Sequence, residues 1–196
     1  MMEFVLTSAT GLVGIILVLL VVLIIVLAIW LGVNYNNLTK AKIRIDNSWS
    51  QISVQLKMRA DLVPNLVSTV KGYATHEQET FTRVMEARNR FMHAQTPQAA
   101  MESGGEIAGL MGRLFAVAEN YPQLKADSNF MQLQNQLAQL EQKIALSRQF
   151  YNDAVMLYNR RVMVFPSNIA AGLFSFQQRP YFEISQAESQ TPNVQF

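Results

Sequence analysis

The sequence predicts an all-α protein. The expected architecture is a single N-terminal transmembrane helix followed by an elongated bundle of three to four long antiparallel helices, the first kinked near Pro64. Three observations carry this. Residues 4–39 contain no charge. Apolar residues recur at spacings of three, four and seven over three long stretches beyond that run. Past residue 40, Gly and Pro are sparse while Gln, Ala, Leu and Asn are common, a composition that favours helix.

The first element is the apolar stretch at residues 11–33. As a helix it rises about 34 Å, enough to cross a hydrocarbon core of about 30 Å. In lipid the backbone polar groups must be satisfied within the segment, so a single span has to be helical. A cleaved signal peptide would begin with basic residues, but the first cation is Lys40, and Ala28-Ile29-Trp30 makes a poor cleavage site. A buried core helix would be shorter and would alternate with polar positions. Before the span lies only Glu3; after it come Lys40, Lys42 and Arg44. The positive-inside rule therefore places residues 1–10 outside and the C-terminal domain in the cytoplasm, with Trp30 and Tyr35 at the membrane interface. Gly11 and Gly14 have the spacing of a helix-packing pair within the bilayer.

All sixteen Lys and Arg, and thirteen of the fourteen acids, lie after the span, so the remainder carries a charge of about +3. That bias is too weak to point to nucleic acid. The chain has no cysteine, which excludes disulfides, thiol nucleophiles and Cys-ligated zinc.

Residues 35–93 read as helix almost without a break. Leu38, Ile45, Trp49, Ile52, Leu56, Ala60, Val63, Leu66, Val70, Tyr73, Phe81, Val84 and Phe91 form the stripe. Pro64 lacks a donor and crowds the carbonyl of Ala60, hence the kink expected there. A second helix is expected over 97–121, with Thr96 as cap, Pro97 in its first turn and a break near 103–105. A third is expected over 127–165, capped by Asp127 or Ser128. Its seam runs Phe130, Leu133, Leu137, Leu140, Ile144, Ser147, Tyr151, Val155, Tyr158, Val162 and Phe165, in the manner of a coiled coil. Pro166 ends it. A short helical turn at 169–173 and an aromatic cluster (Phe174, Phe176, Tyr181, Phe182) follow. The domain is drawn as 34–184 and the polar tail as 185–196.

The residues of three runs resemble the LemA family. The first run is Trp49-Ser50, Ile52, Val54-Gln55-Leu56-Lys57, Arg59, Asp61-Leu62 and Pro64-Asn65-Leu66-Val67. The second is Val70-Lys71-Gly72-Tyr73-Ala74 with His76-Glu77. The third runs from Tyr121-Pro122 and Leu124-Lys125-Ala126 through Ile144-Ala145, Arg148, Tyr151-Asn152, Val155 and Tyr158-Asn159 to Phe165-Pro166. The resemblance implies a single-pass bacterial membrane protein with a helical cytoplasmic domain. It also implies a link to membrane-organelle formation in magnetic bacteria, and the company of TPM-domain proteins and zinc-dependent membrane peptidases. It supplies no catalytic residues.

The residues themselves offer little chemistry. His76-Glu77 begins a zinc motif of the form HExxH, but Thr80 stands where the second histidine belongs, and His93 is remote. The glycines at 104, 105, 109 and 112 do not follow a strand and form no phosphate loop. Trp49, Tyr73, Tyr151 and Tyr158 read as core rather than as a cofactor box. No catalytic group, metal or cofactor is expected. Polar residues beside the seams are more informative: Arg59, Asp61 and Asn65 flank Pro64, while Arg148, Asn152 and Asn159 flank the third seam. Tyr151-Asn152 and Tyr158-Asn159 are one heptad apart. They form either a hydrogen-bonded network that fixes helix register, with Asp61 and Arg148 in one network, or a partner-binding stripe.

These features lead to a non-enzymatic, membrane-anchored scaffold that self-associates into a homo-oligomer at the bacterial cytoplasmic membrane. The alternative is an adaptor for a membrane peptidase or TPM-domain partner. A helical hydrolase is the least supported reading, since two separated histidines and no cysteine leave few nucleophile–base arrangements.

Overall fold

The computed structural model describes residues 2–182, with side chains from Gly14 onward. Residue Gly11 of the expected glycine pair and the expected tail at 185–196 lie outside the described side chains and residues. Six helices are present among the described residues: α1 (Met2–Lys71), α2 (Gln78–Met92), α3 (Pro97–Ala118), α4 (Pro122–Lys125), α5 (Ser128–Met163) and α6 (Ser167–Leu173). The chain divides into two compact units. One comprises Met1–Ile43 with Leu157–Arg179, the other Arg44–Met156 with the residues from Pro180 onward.

In the first unit, α1 contains the one helix of the described chain long and apolar enough to cross a membrane. Helix continues through residues 34–37, where a hinge was conceivable. The Asn34 side chain bonds back to the Trp30 carbonyl at 2.9 Å, so the polar stretch caps itself within the helix. α6 follows α5 in this unit, and two residues past its end Ser175, with a φ of 56°, makes a left-handed turn that redirects the chain.

In the second unit, the stripe of α1 is buried at Ile45, Ile52, Leu56, Ala60, Val63, Leu66 and Val70. It joins Phe81, Val84 and Ala87 of α2, Ile107, Leu110, Met111 and Leu114 of α3, Leu124 of α4, and Phe130 and Leu137 of α5. Two contacts fix the pairing of α1 with α5. Arg59 meets Glu141, and ten residues back along α1 Trp49 meets Tyr151, ten residues forward along α5. The two helices are therefore antiparallel in one register.

Several expectations need correction. The helix expected over 35–93 breaks at 72–77, and α2 turns back so that Arg88 reaches Ala60. Gly72 weakens the helix there, and the apolar stripe had already lapsed between Tyr73 and Phe81. No break occurs at 103–105; α3 is continuous because Gly104 packs against Arg59 and Leu56. α3 stops at Ala118, three residues early. Tyr73 is 40% exposed rather than core, because it sits in the turn after α1. Phe165, placed last on the α5 seam, lies beyond the helix end at Met163 and is 74% exposed.

Helix α1 also runs through Pro64 without ending. Proline has no N–H to give the carbonyl four residues back, which leaves the Ala60 oxygen without its helical partner in a residue of zero exposure. The Arg88 Nε donates to that oxygen at 2.9 Å. The cap of α3 is as expected: Thr96 accepts from the Ala99 N–H at 3.2 Å, with Pro97 in the first turn. Asp127, rather than Ser128, caps α5 through the Phe130 N–H at 2.9 Å.

Candidate functional site

The polar residues singled out in the sequence fall into three sites. The first is centred on Arg59, fully buried within the second unit. Its Nη1 donates to Glu141 Oε1 at 2.8 Å, and its Nη2 donates to the Gly104 carbonyl. A planar, multiply donating cation suits two acceptors on different helices, so one side chain of α1 ties α5 to α3. The Gly104 residue is part of this site. A Cβ there would lie 3.4 Å from Arg59 Nη2 and 3.5 Å from Leu56.

Asp61 does not join this site, nor does it meet Arg148. It forms an exposed pair with Lys57 at 3.0 Å. The register of α1 on α5 places Asp61 about nine residues, roughly 13 Å along the axis, from the level of Arg148. Two residues past Arg59 is also the opposite side of the helix, which faces water. Asn65 is exposed and lines an open surface groove with Leu62, Gln132 and Gln136.

The second site is a pair of clamps on α5, each within one unit. In the second unit, the Tyr151 hydroxyl donates to the Pro180 carbonyl at 3.2 Å. Asn152 pairs in both directions with Phe182, donating to its carbonyl at 3.1 Å and accepting from its N–H at 2.8 Å. In the first unit, Tyr158 donates to the Gln177 carbonyl at 2.9 Å. Asn159 pairs both ways with Arg179, each bond 2.8 Å. A carboxamide reproduces the donor–acceptor pattern of a β-partner, so each asparagine treats the chain as an edge strand. All four residues are hydrogen-bonded, with a strap from their own chain as the partner. The Arg148 guanidinium carbon lies 4.6 Å from the Phe182 ring centre, a cation–π contact. The sequence signal was present in the heptad repeat of Tyr-Asn; the strap itself carries no matching signal.

The third site is at the end of the apolar span, within the first unit. The Tyr35 ring centre lies 4.9 Å from Phe174 and 5.7 Å from Phe176. Lys42 and Arg179 line a cavity of about 250 Å³ with Tyr158, Ser175 and Phe176. Lys40, Lys42, Arg160, Arg161 and Arg179 all belong to this unit, whose described residues hold a single acid, Glu3, before the span. The sequence reading named Trp30, Tyr35, Lys40, Lys42 and Arg44 but missed Arg160, Arg161 and Arg179. They are over a hundred residues away and join the unit that holds the span only through the fold.

Only modest electrostatic perturbation is found at the domain surface. The Asp127 carboxyl is held below the usual carboxylate range, first by the Phe130 N–H and also by the Tyr73 hydroxyl at 3.1 Å. Tyr73 is correspondingly raised, chiefly by that bond. Among the described residues, no three His, Asp or Glu side chains converge as metal ligands would. His93 contacts its own helix through Nδ1, 2.8 Å from the Asn89 carbonyl.

Comparison with known proteins bears on this architecture. The chain is 24% identical over 177 residues to the magnetosome protein MamQ 2 of Paramagnetospirillum magneticum, covering 77% of this chain and 65% of that protein. It is 23% identical over 154 residues to the protein LemA of Metamycoplasma hominis, covering 78% of this chain and 70% of that one. It is 21% identical over 159 residues to the MamQ protein of Magnetospirillum gryphiswaldense, covering 68% and 58%. The chain thus spans just under two thirds of the length of the first of these relatives. The family model described as the LemA family matches residues 48–196, which hold the Arg59 site and both clamps. The chain is a membrane-associated helical protein and belongs to the LemA family.

Proposed function

We propose that the protein is a non-enzymatic scaffold, anchored by α1 in the bacterial cytoplasmic membrane with its helical domain in the cytoplasm, that self-associates and takes part in membrane organisation. One observation carries the self-association. After α1 and α5 have buried their stripes, large apolar side chains remain exposed on both: Val54 and Met58 on α1, and Leu146, Phe150 and Met156 on α5. Apolar surface outside a membrane span is a liability unless another surface covers it. Relatives named as magnetosome proteins support the membrane-organising role. The cytoplasmic orientation is supported by three cations, Lys40, Lys42 and Arg44, just after the span and no Lys or Arg before it.

The test is light scattering of the full chain in detergent. A homo-oligomer is expected, and Phe150→Asp should shift it toward smaller species. A monomer across a wide concentration range refutes self-association, and a reporter fused after Phe196 tests the orientation. A second reading, an adaptor for a membrane peptidase or TPM-domain protein, has one observation in its favour. A surface groove of about 370 Å³ is lined by Trp49, Val54, Phe91, Met92 and Pro97. Copurification of such a partner in fixed stoichiometry, with the scaffold itself monomeric, would favour it.

A further inference from the structure

The end of α5 and the whole of α6 present an apolar surface that the fold leaves open. Met163, Val164, Phe165, Ile169 and Leu173 are all exposed, Phe165 by 74% and Leu173 by 64%. The opposite side of α6 is buried at Ala170 and Ala171, so the helix is docked with its larger side chains turned outward. A soluble domain has no use for this arrangement. Its position accounts for it.

Within this unit, Phe174 at the end of α6 packs on Tyr35, which stands two residues, about 3 Å along the helix, past the apolar stretch ending at Val33. Exposure along the span is uninterrupted from Gly14 to Ile29 and falls at Trp30 and Leu31. The chain after α5 therefore reaches the level at which the span leaves the bilayer. Lys40, Lys42, Arg160, Arg161 and Arg179 flank this surface within the same unit, with no acid among residues 157–179. An exposed apolar face flanked by cations and free of acids has the composition of a segment lying in a lipid interface. Each such cation near an anionic leaflet contributes attraction that falls off within a Debye length.

We propose that segment 163–174 is a second membrane contact. Its apolar face lies in the headgroup–acyl boundary beside the span, and the five flanking cations engage anionic lipid headgroups. The bilayer, rather than another protein, is the occupant because the patch is continuous through Tyr35 with the segment that spans it. A domain fastened at two points cannot swing or rotate freely about its anchor, as one held by a single helix can. The proposal rests on α1 being a membrane anchor, and its test separates the two.

The chain has no cysteine, so each introduced cysteine is a unique label site. Phe165→Cys and Leu173→Cys, both at exposed positions, are labelled with an environment-sensitive fluorophore in the full-length protein. Val18→Cys within the span and Met131→Cys on α5 serve as references. All are reconstituted in vesicles of phosphatidylcholine and phosphatidylglycerol, and quenched with either a doxyl-labelled lipid or aqueous iodide. The labels at 165 and 173 should lose most of their emission to a lipid whose doxyl group lies just below the headgroup, and should be shielded from iodide, while Met131 behaves oppositely. If they follow Met131 while Val18 is lipid-quenched, the anchor stands and the second contact is overturned. Shielding from both quenchers would mean that a second copy covers the patch, which also overturns it. If Val18 itself escapes the lipid quencher, the anchor fails and the proposal falls with it.

Discussion

The carbonyl of Ala60 gives the sharpest test of how this bundle is held together. Pro64 deprives it of the helical N–H, and Arg88 Nε supplies the replacement at 2.9 Å, with Ala60 fully buried and Arg88 half-buried. Replacing Arg88 with Met keeps most of the aliphatic stem and removes the donor. A buried acceptor left without a partner costs about 1–3 kcal/mol. For a domain of this size each kcal/mol corresponds to roughly 2–4 °C in midpoint, so Arg88→Met should lower the unfolding temperature by about 2–12 °C. In a Pro64→Ala background the alanine N–H can make the ordinary helical bond to Ala60, and the same Arg88→Met change should then cost less than about 0.5 kcal/mol. Circular dichroism melts of the four proteins in one detergent, combined as a double-mutant cycle, read the coupling directly. Equal losses in the two backgrounds would refute the reasoning, because Arg88 would then be acting through something other than the carbonyl that Pro64 orphans.

Four further outcomes follow from the sites described. Arg59→Met should destabilise by about 1–3 kcal/mol through loss of the donor to the Gly104 carbonyl, with little extra from Glu141, which is 39% exposed and can be hydrated. Gly104→Val should be worse tolerated than Gly104→Ala in the same melts, since only the larger side chain must displace the guanidinium. Asn159→Leu should release the strap locally. Hydrogen exchange at the Arg179 amide should accelerate about tenfold or more, as expected for loss of a bond worth over about 1 kcal/mol, while Phe182 keeps its Asn152 partner. Asp127 has a folded-state pKa below its unfolded one, so its contribution is present above about pH 4 and is lost as pH falls through the folded value. An Asp127→Ala variant should therefore show a flatter stability profile than the parent below about pH 4, measured by melts at stepped pH.

The helical class, the span, the Thr96 and Asp127 caps and most of the buried stripe were readable because each is a local pattern: periodicity, a cap residue, an uncharged run. What escaped was set by tertiary contact. The break at 72–77 was visible only as a lapse in the stripe between Tyr73 and Phe81, which a search for continuing periodicity passes over. Arg59 was recognised as a polar residue near a seam. Its partners, Glu141 and a backbone carbonyl in a glycine-rich helix, have no signature at a distance in sequence. Asp61 attracted attention because a carboxylate near a proline resembles a network, yet a residue two positions from a buried one points into water. The Tyr-Asn repeat was seen and its spacing understood. The strap it grips reads in sequence only as an aromatic cluster split by Pro180, because main-chain atoms carry the clamp interaction and every residue has those.

That last point has a consequence for comparing members of the family. The side chains of residues 177–180 are exposed, and the clamps touch this stretch only through its backbone. What is required there is grammatical rather than lexical. Position 179 must have an N–H to give and so cannot be proline, whereas position 180 needs only a carbonyl, and proline stands there. Residue identity at 177–180 is therefore not what the clamps constrain. The shape of this stretch is dictated from α5, by two asparagines and two tyrosines one heptad apart, and its side chains are left open to whatever the membrane surface or a neighbour selects.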